Sequence, residues 1–511
     1  METNTNNSKL ENILLKIFLI ALGIVIGALT LLGFIYSYKN IELVQEYVFK
    51  FKDNVFFNII WVFVFVAMAI LIKTKAVRIT GLSKINLNYV ALALSIISVI
   101  LSIMWVLTNG ATPQADQWTL CEAASEINKG DYSLFNQGEY VARNQHQLGM
   151  VTLLRIIFTI FGDWNYIPLE ILNCIGVGLT IFYSFKVAEI LTNNKTIEVI
   201  TLVLTIICLP LYFYTSFIYG EILSISFTTV GIYLFFLNYK ETNYKRLVAL
   251  SIVILAMLYA RKNTIIVIIA MLGITIVKLL IERKKKYLLI LVAIVIGVVI
   301  KSATLTAMYS SHFPEDAKEM PSILYIAMGT NNYEDRGGWY DGMHIAIFER
   351  NNYDPKAASE DAKQVIIEFL KQCIQNPVAG LKFYAIKILS QWIAPMYQGL
   401  VMSNNITDEQ SWIAHFIYYD SRAWKFMDGF MNLLQLIVYT STLYLIIYSW
   451  KHIRKMEFYM GLIAVWGGFL FSIIWEAKTR YVFPYFIILI PYAAIGLGLL
   501  IDNICDRLQK S

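Results

Sequence analysis

Apolar residues in this chain fall in blocks. Runs of about 17 to 25 hydrophobic positions, the length of helix that spans a bilayer, recur with short polar turns between them. Spanning candidates are residues 12–36, 55–73, 88–108, 167–190, 198–217, 221–238, 247–260, 263–281, 287–309, 426–450, 458–475 and 481–502. Two shorter apolar pieces, 147–161 and 382–394, are interrupted or flanked by Arg155, Lys382 and Lys387 and read as helices lying at the interface. The pattern predicts an all-α polytopic membrane protein of about twelve transmembrane helices (range roughly 11 to 14), with outward-facing juxtamembrane helices and a small extracytoplasmic lid.

Charge sets the orientation. The 511 residues are 58% hydrophobic and 15% charged, with a net charge of +6. The basic residues gather in short loops: Lys73, Lys75, Arg78 and Lys84; Lys240, Lys245 and Arg246; Arg283 to Lys286; and Lys451, Arg454 and Lys455. Such clusters mark the cytoplasmic side of membrane helices, so they imply contact with a lipid bilayer and no nucleic-acid partner. Placing them all inside keeps both termini cytoplasmic in the cell membrane. It also turns segments 109–146 and 310–425 outward, together with the turns Tyr219-Gly220-Glu221, Ala260 to Asn263 and Trp475 to Tyr481. The chain then divides into N-terminal helices (1–108), a first extracytoplasmic loop with juxtamembrane helices (109–166), a transmembrane core (167–309), a second loop or lid with juxtamembrane helices (310–425) and C-terminal helices (426–511). The first apolar run is expected to stay as an anchor. Of five cysteines, Cys174, Cys208 and Cys505 read as packed thiols, whereas Cys121 and Cys373 are able to pair if both face outward.

The outward turns carry charges against the bias of the rest of the chain, and ionisable groups at membrane-helix ends are costly unless used. The stretch WEAKTRY (475–481) places Glu476, Lys478 and Arg480 within five residues. A structural reading makes Glu476 and Arg480 an ion pair and lets Arg261 and Lys262 snorkel to headgroups. Asp116 follows the helix-breaking Gly110 and Pro113 at the start of a helical pattern. It serves there either as an N-cap or as a general base that takes a proton from a hydroxyl. In the second loop, Gly329, Gly337, Gly338 and Gly342 mark turns, and 357–375 is amphipathic with Ile366, Ile367, Phe369, Leu370 and Cys373 toward one face. Tyr333, Trp339, Tyr340 and Trp392 are of the type that stacks on sugar rings, although interfacial aromatic belts have the same composition. The chain has no GxxxxGK[ST], no HExxH and no Cys/His ligand cluster. His146, His312, His344 and His415 are scattered single residues. No cofactor is expected; Asp116 with Glu122 or Glu221 leaves a divalent cation open, but no ligand spacing calls for one.

Asp116, then EYVARNQHQLG before a short apolar helix ending in Phe161-Gly162, YGE (219–221), YARKN (259–263) and WEAKTRYVFPYF occur in a telling order and on one side. Over about 105–500 this resembles the bacterial GT-C glycosyltransferases, the membrane group that includes protein O-mannosyltransferases and aminoarabinose transferases. The resemblance implies a polyprenyl-phosphate-linked sugar as donor and chemistry at the outer membrane surface. It implies Asp116 as catalytic base, Arg261, Lys262 and Arg480 at the donor phosphate, and Glu221, Glu476, Lys478 and His146 in support. Tyr333, Trp339 and Tyr340 are the candidate sugar or acceptor contacts, and the acceptor is expected to be a cell-envelope glycan, teichoic acid or polysaccharide. The chain departs from the family in two apparent extra spans ahead of Asp116 and in Gln117, where a second acid is common. A lipid-linked sugar flippase, a polysaccharide polymerase or ligase, and a non-catalytic scaffold are the competing readings.

Overall fold

The computed structural model describes residues 9–40, 46, 48–78, 86–403, 413 and 419–510; for Leu10, 72–78, Tyr333, Ser403 and 508–510 the description is of the backbone. Residues 79–85 with Lys84, and the side chains of Lys73, Lys75, Arg78 and Tyr333, therefore lie outside what is described.

Among the described residues, nine helices are long and apolar enough to cross a membrane: Glu11–Ile35, Leu87–Asn109, Ile167–Thr192, Glu221–Lys240, Lys262–Glu282, Lys285–His312, Arg422–Lys451, Met456–Ile474 and Thr479–Arg507. Lys195–Ile206 and Pro210–Ser216 make a tenth if they count as one span bent by 51°. Two of the expected twelve are not among these. Residues 55–73 lie in the 24-residue helix Val55–Arg78, whose side chains are described as far as Leu71 and are apolar over Val55–Leu71. Residues 247–260 fall in Tyr244–Ala260, whose 17 residues rise about 25 Å against an apolar core of about 30 Å.

The all-α expectation also misses a hairpin. Strands Tyr36–Asn40 and Val48–Lys52 pair antiparallel, with Tyr36 opposite Lys52 and Asn40 opposite Val48. Their short YSYKN and VFKFK alternation adjoins a long apolar run that masks a period of two. Tyr38 N–H donates to Ile393 O at 3.0 Å, so the hairpin lies against the end of helix Pro377–Trp392. Residues 382–394, expected as a helix at the interface, fall largely in that helix, where Lys387, Ser390, Gln391 and Trp392 are all buried against the protein.

The bundle has two chemically distinct ends. At one, Lys278 Nζ lies 2.8 Å from Glu11, 3.3 Å from Glu282 and 3.6 Å from Glu457, and Lys286 Nζ donates to Tyr239 O at 2.8 Å. The start of the first helix thus shares an end with the basic loops around 240–246, 283–286 and 451–455. The other end carries the hairpin, Asp116, the turns at 219–221 and 260–263, and the 475–481 stretch. The closing helix, Thr479–Lys510, is the central pillar: 89% of its most apolar window is buried, against 28% for Leu87–Asn109. A second, small apolar cluster of Met320, Leu324, Ala327, Ile347, Phe348, Ala358 and Ala362 gives the segment around 320–366 its own core. The amphipathic face expected of 357–375 is split. Ala358 and Ala362 are its buried residues, while Ile367, Leu370 and Ile374 are exposed beside Val378 and Leu381.

Candidate functional site

The site is built around Tyr219, whose hydroxyl meets Asp116 and whose ring meets two arginines. Asp116 is the first residue of helix Asp116–Lys129; Ala115 occupies the cap position, with φ 49° and no side-chain cap bond. An alanine at positive φ carries backbone strain. The capping reading of Asp116 is corrected, because its Oδ2 accepts from the Tyr219 hydroxyl at 3.0 Å. That hydroxyl also accepts from Gln147 Nε2 at 2.7 Å. Burial, and then the Asp116 charge, push the Tyr219 hydroxyl well above its ordinary range, so it remains a donor. Gln117 Oε1 accepts from Ile218 N–H at 2.7 Å, fixing this turn from the position next to Asp116.

The ring of Tyr219 meets both guanidiniums. Arg261 Cζ lies 4.9 Å from its centroid and Arg480 Cζ 5.1 Å. Asp116, Arg261 and Arg480, far apart in sequence, therefore converge on one side chain. Gly220 makes this possible: its φ is +89°, and a Cβ there would lie 2.5 Å from Ala260 O, so only glycine lets the 219–221 and 260–263 turns approach so closely.

The three basic residues assigned to one site differ in environment. Arg261 Nη1 pairs with Glu221 Oε1 at 2.7 Å. Lys262 is exposed. Arg480 is buried at 7% exposure, its Nε has no hydrogen-bond partner, and no carboxylate among the described residues forms an ion pair with it. Its nearest surroundings are the rings of Tyr219, Tyr481 (5.6 Å) and Phe217 (5.9 Å). The charges of Glu221 and Glu46 act on it from a distance, but no described carboxylate makes the direct contact that best offsets the desolvation of a buried cation. Arg261 and Arg480 line a small cavity of about 30 Å³ with Glu221, Asn263, Tyr481 and Tyr485, room for about two waters.

The remaining candidates divide between this cleft and its supports. Glu476 does not pair with Arg480; its Oε1 accepts from Tyr481 OH at 2.6 Å, so it acts on the arginines only through the tyrosine between them. Lys478 is a tie to the hairpin, 2.7 Å from Glu46 Oε1. His146 lies in a short turn before Leu148–Phe161; burial, with Lys262 and Arg261 nearby, lowers its pKa to about 3 and keeps it neutral. Trp339 and Trp392 are not free to stack on sugars. Both are buried, with Nε1 bonded to Ser390 Oγ and to Ser472 Oγ, each at 2.9 Å. Tyr340 does reach the cleft: the Lys478 ammonium lies 5.1 Å from its ring, and burial, followed by the charges of Asp116, Glu46 and Glu476, raises its hydroxyl pKa.

The 329–339 segment is strapped to this end. Ala477 N–H donates to Gly338 O at 2.8 Å, Trp339 and Ala477 form a parallel bridge, and Lys387 Nζ donates to Gly329 O. Cys121 and Cys373 are both free, and burial pushes the Cys121 thiol up to about 12, so the pairing considered for them is absent. Among the described residues no group of three or more His, Cys, Asp or Glu side chains is placed to hold a metal ion. No protein-family model matches the chain, and a search of curated proteins finds no match.

Proposed function

We propose that the protein is a membrane glycosyltransferase of the GT-C kind. It moves a sugar from a polyprenyl-phosphate carrier to a cell-envelope glycan at the outer face of the cell membrane. The observation that carries this reading is the meeting of a carboxylate, Asp116, and a buried guanidinium without a directly paired carboxylate, Arg480, on opposite parts of one tyrosine. A lipid phosphate supplies the direct ion-pair partner that Arg480 lacks, and a guanidinium fork suits its oxygens.

In the reaction, Asp116 accepts the proton of an acceptor hydroxyl as that oxygen attacks the anomeric carbon from the face opposite the phosphate. The new C–O bond forms as the bond to the phosphate breaks, inverting the anomeric centre. The electron pair leaves with the phosphate, where Arg480, and Arg261 held by Glu221, stabilise the added charge. Only Oδ2 of Asp116 is engaged by a described donor, so Oδ1 is available to the hydroxyl. In this reading the chain passes twelve times, with Val55–Leu71, Tyr244–Ala260 and the bent pair also crossing. Both termini are cytoplasmic, and the small-core segment around 320–366 serves as the lid. A flippase needs no general base, and the test separates the two. Purified protein is given radiolabelled polyprenyl-phosphate hexose and a cell-envelope extract. Wild type is expected to transfer label, and Asp116→Asn to fall by at least about a hundredfold, the scale of general-base catalysis. Equal transfer by both removes the assignment.

A further inference from the structure

Two buried side-chain nitrogens on the lid side of the cleft have no hydrogen-bond partner, and neither belongs to the transfer chemistry above. Arg143 ends the short helix Tyr140–Arg143. Its Nε is buried and unbonded, and its only ion-pair contact among the described residues is Glu349 Oε1 at 3.9 Å, beyond hydrogen-bond reach. The backbone carbonyl of Arg143 accepts from Met320 N–H at 3.2 Å, which fixes the residue against the lid.

His344, on helix Met343–Arg350, is 5% exposed, and its Nδ1 has no partner. Burial, with Lys478 nearby, lowers its pKa to about 4, so the ring is neutral. Tyr325 packs on it at 4.9 Å and on Trp475 at 5.2 Å, and Tyr340 meets it edge-on at 5.6 Å. The Tyr325 hydroxyl donates to Asn144 Oδ1 at 3.0 Å, next to Arg143. A guanidinium with an unbonded Nε and a neutral imidazole therefore lie beside an aromatic wall shared with the WEAKTRY stretch.

The geometry points to a subsite in which Arg143 and His344 bind an anionic group, a phosphodiester or a carboxylate, carried by the acceptor glycan, while Tyr325 and Tyr340 face its sugar or polyol units. Leaving a guanidinium nitrogen dry and unbonded is costly unless a ligand satisfies it, and a neutral histidine adds a hydrogen bond without adding charge. A wall of this composition favours an anionic acceptor, of the polyol-phosphate or uronate type, over a neutral one. The inference rests on the glycosyl-transfer reading and deepens it by naming the acceptor class.

Binding tests it without turnover. Full-length protein in nanodiscs is titrated with a short poly(glycerol phosphate), an oligogalacturonide, a neutral oligoglucan of matched length and polyprenyl monophosphate. Wild type and Asp116→Asn are expected to bind at least one anionic glycan well above the oligoglucan, and the tighter of the two names the anion. Arg143→Gln is expected to weaken that binding tenfold or more while polyprenyl monophosphate affinity is kept. His344→Gln, which keeps the lid's apolar core, guards against misfolding of the arginine variant and is expected to weaken the same ligand by a smaller factor. Equal affinity in both variants, oligoglucan bound as tightly as the anions, or no anionic glycan bound at all would each overturn the subsite. Failure of the transfer reading shows separately, as Asp116→Asn that transfers like wild type.

Discussion

Lys387 shows how a single residue ties the 329–339 segment to the site. Its ammonium is fully buried, and burial lowers its pKa from an ordinary 10.5 to about 7, with Glu476 opposing the shift. Between those two values the unfolded chain holds a proton that the folded one has released, so this residue makes the fold more stable as pH rises from about 7 toward 10.5. Below about 7 both states are protonated and the cost of burying the charge is constant. Replacing Lys387 by Met is expected to abolish this slope: the melting temperature of wild type should gain on that of the variant across pH 7 to 10. A difference that does not change with pH would contradict it. Asp116, Arg261 and Arg480 stand out in the sequence because each is a charge beside an apolar run in a segment that the charge pattern turns outward. Tyr219 does not, since YGE draws attention to its acid and a tyrosine in an apolar setting looks like packing. Trp339 was misread for the converse reason: composition cannot tell a ring bonded to Ser390 from one facing a sugar. Arg143 lay within a quoted motif and His344 was noted as a single residue, but only the fold brings them together.

Among the elements, the close approach of the 219–221 and 260–263 turns sets the site geometry. Any side chain at Gly220 must both hold a positive φ and clear Ala260 O. Gly220→Ala is therefore expected to destabilise the protein by about 1–3 kcal/mol, read as a lower melting temperature, and to weaken donor binding as Tyr219 and Arg261 part. An unchanged melting temperature would mean the turns are not tightly apposed. Most long helices were legible because hydrophobic length is a local property. The hairpin was not, because its five-residue strands are held by distant partners: Ile393 through Tyr38 and Lys478 through Glu46. Helix Pro377–Trp392 shows the same limit: a lysine in a short apolar piece suggests the interface, and nothing in the sequence reveals that Lys387 Nζ donates a hydrogen bond to Gly329 O.

For the whole molecule, charge sorting was the readable feature. The described basic loops share one end of the bundle with Glu11, and the candidate site lies at the other. Impermeant maleimide on intact cells tests which end is outside. In a background with Cys373 and Cys505 replaced by Ser, Lys356→Cys on the lid is expected to label and Lys285→Cys to remain unlabelled; the reverse pattern would invert the topology. The account depends most on Arg480 awaiting a phosphate. Polyprenyl monophosphate binding to wild type and to Arg480→Gln in nanodiscs addresses this directly. Loss of charged hydrogen bonds in a buried site should weaken binding roughly tenfold or more. Equal affinity for the two proteins would contradict the account.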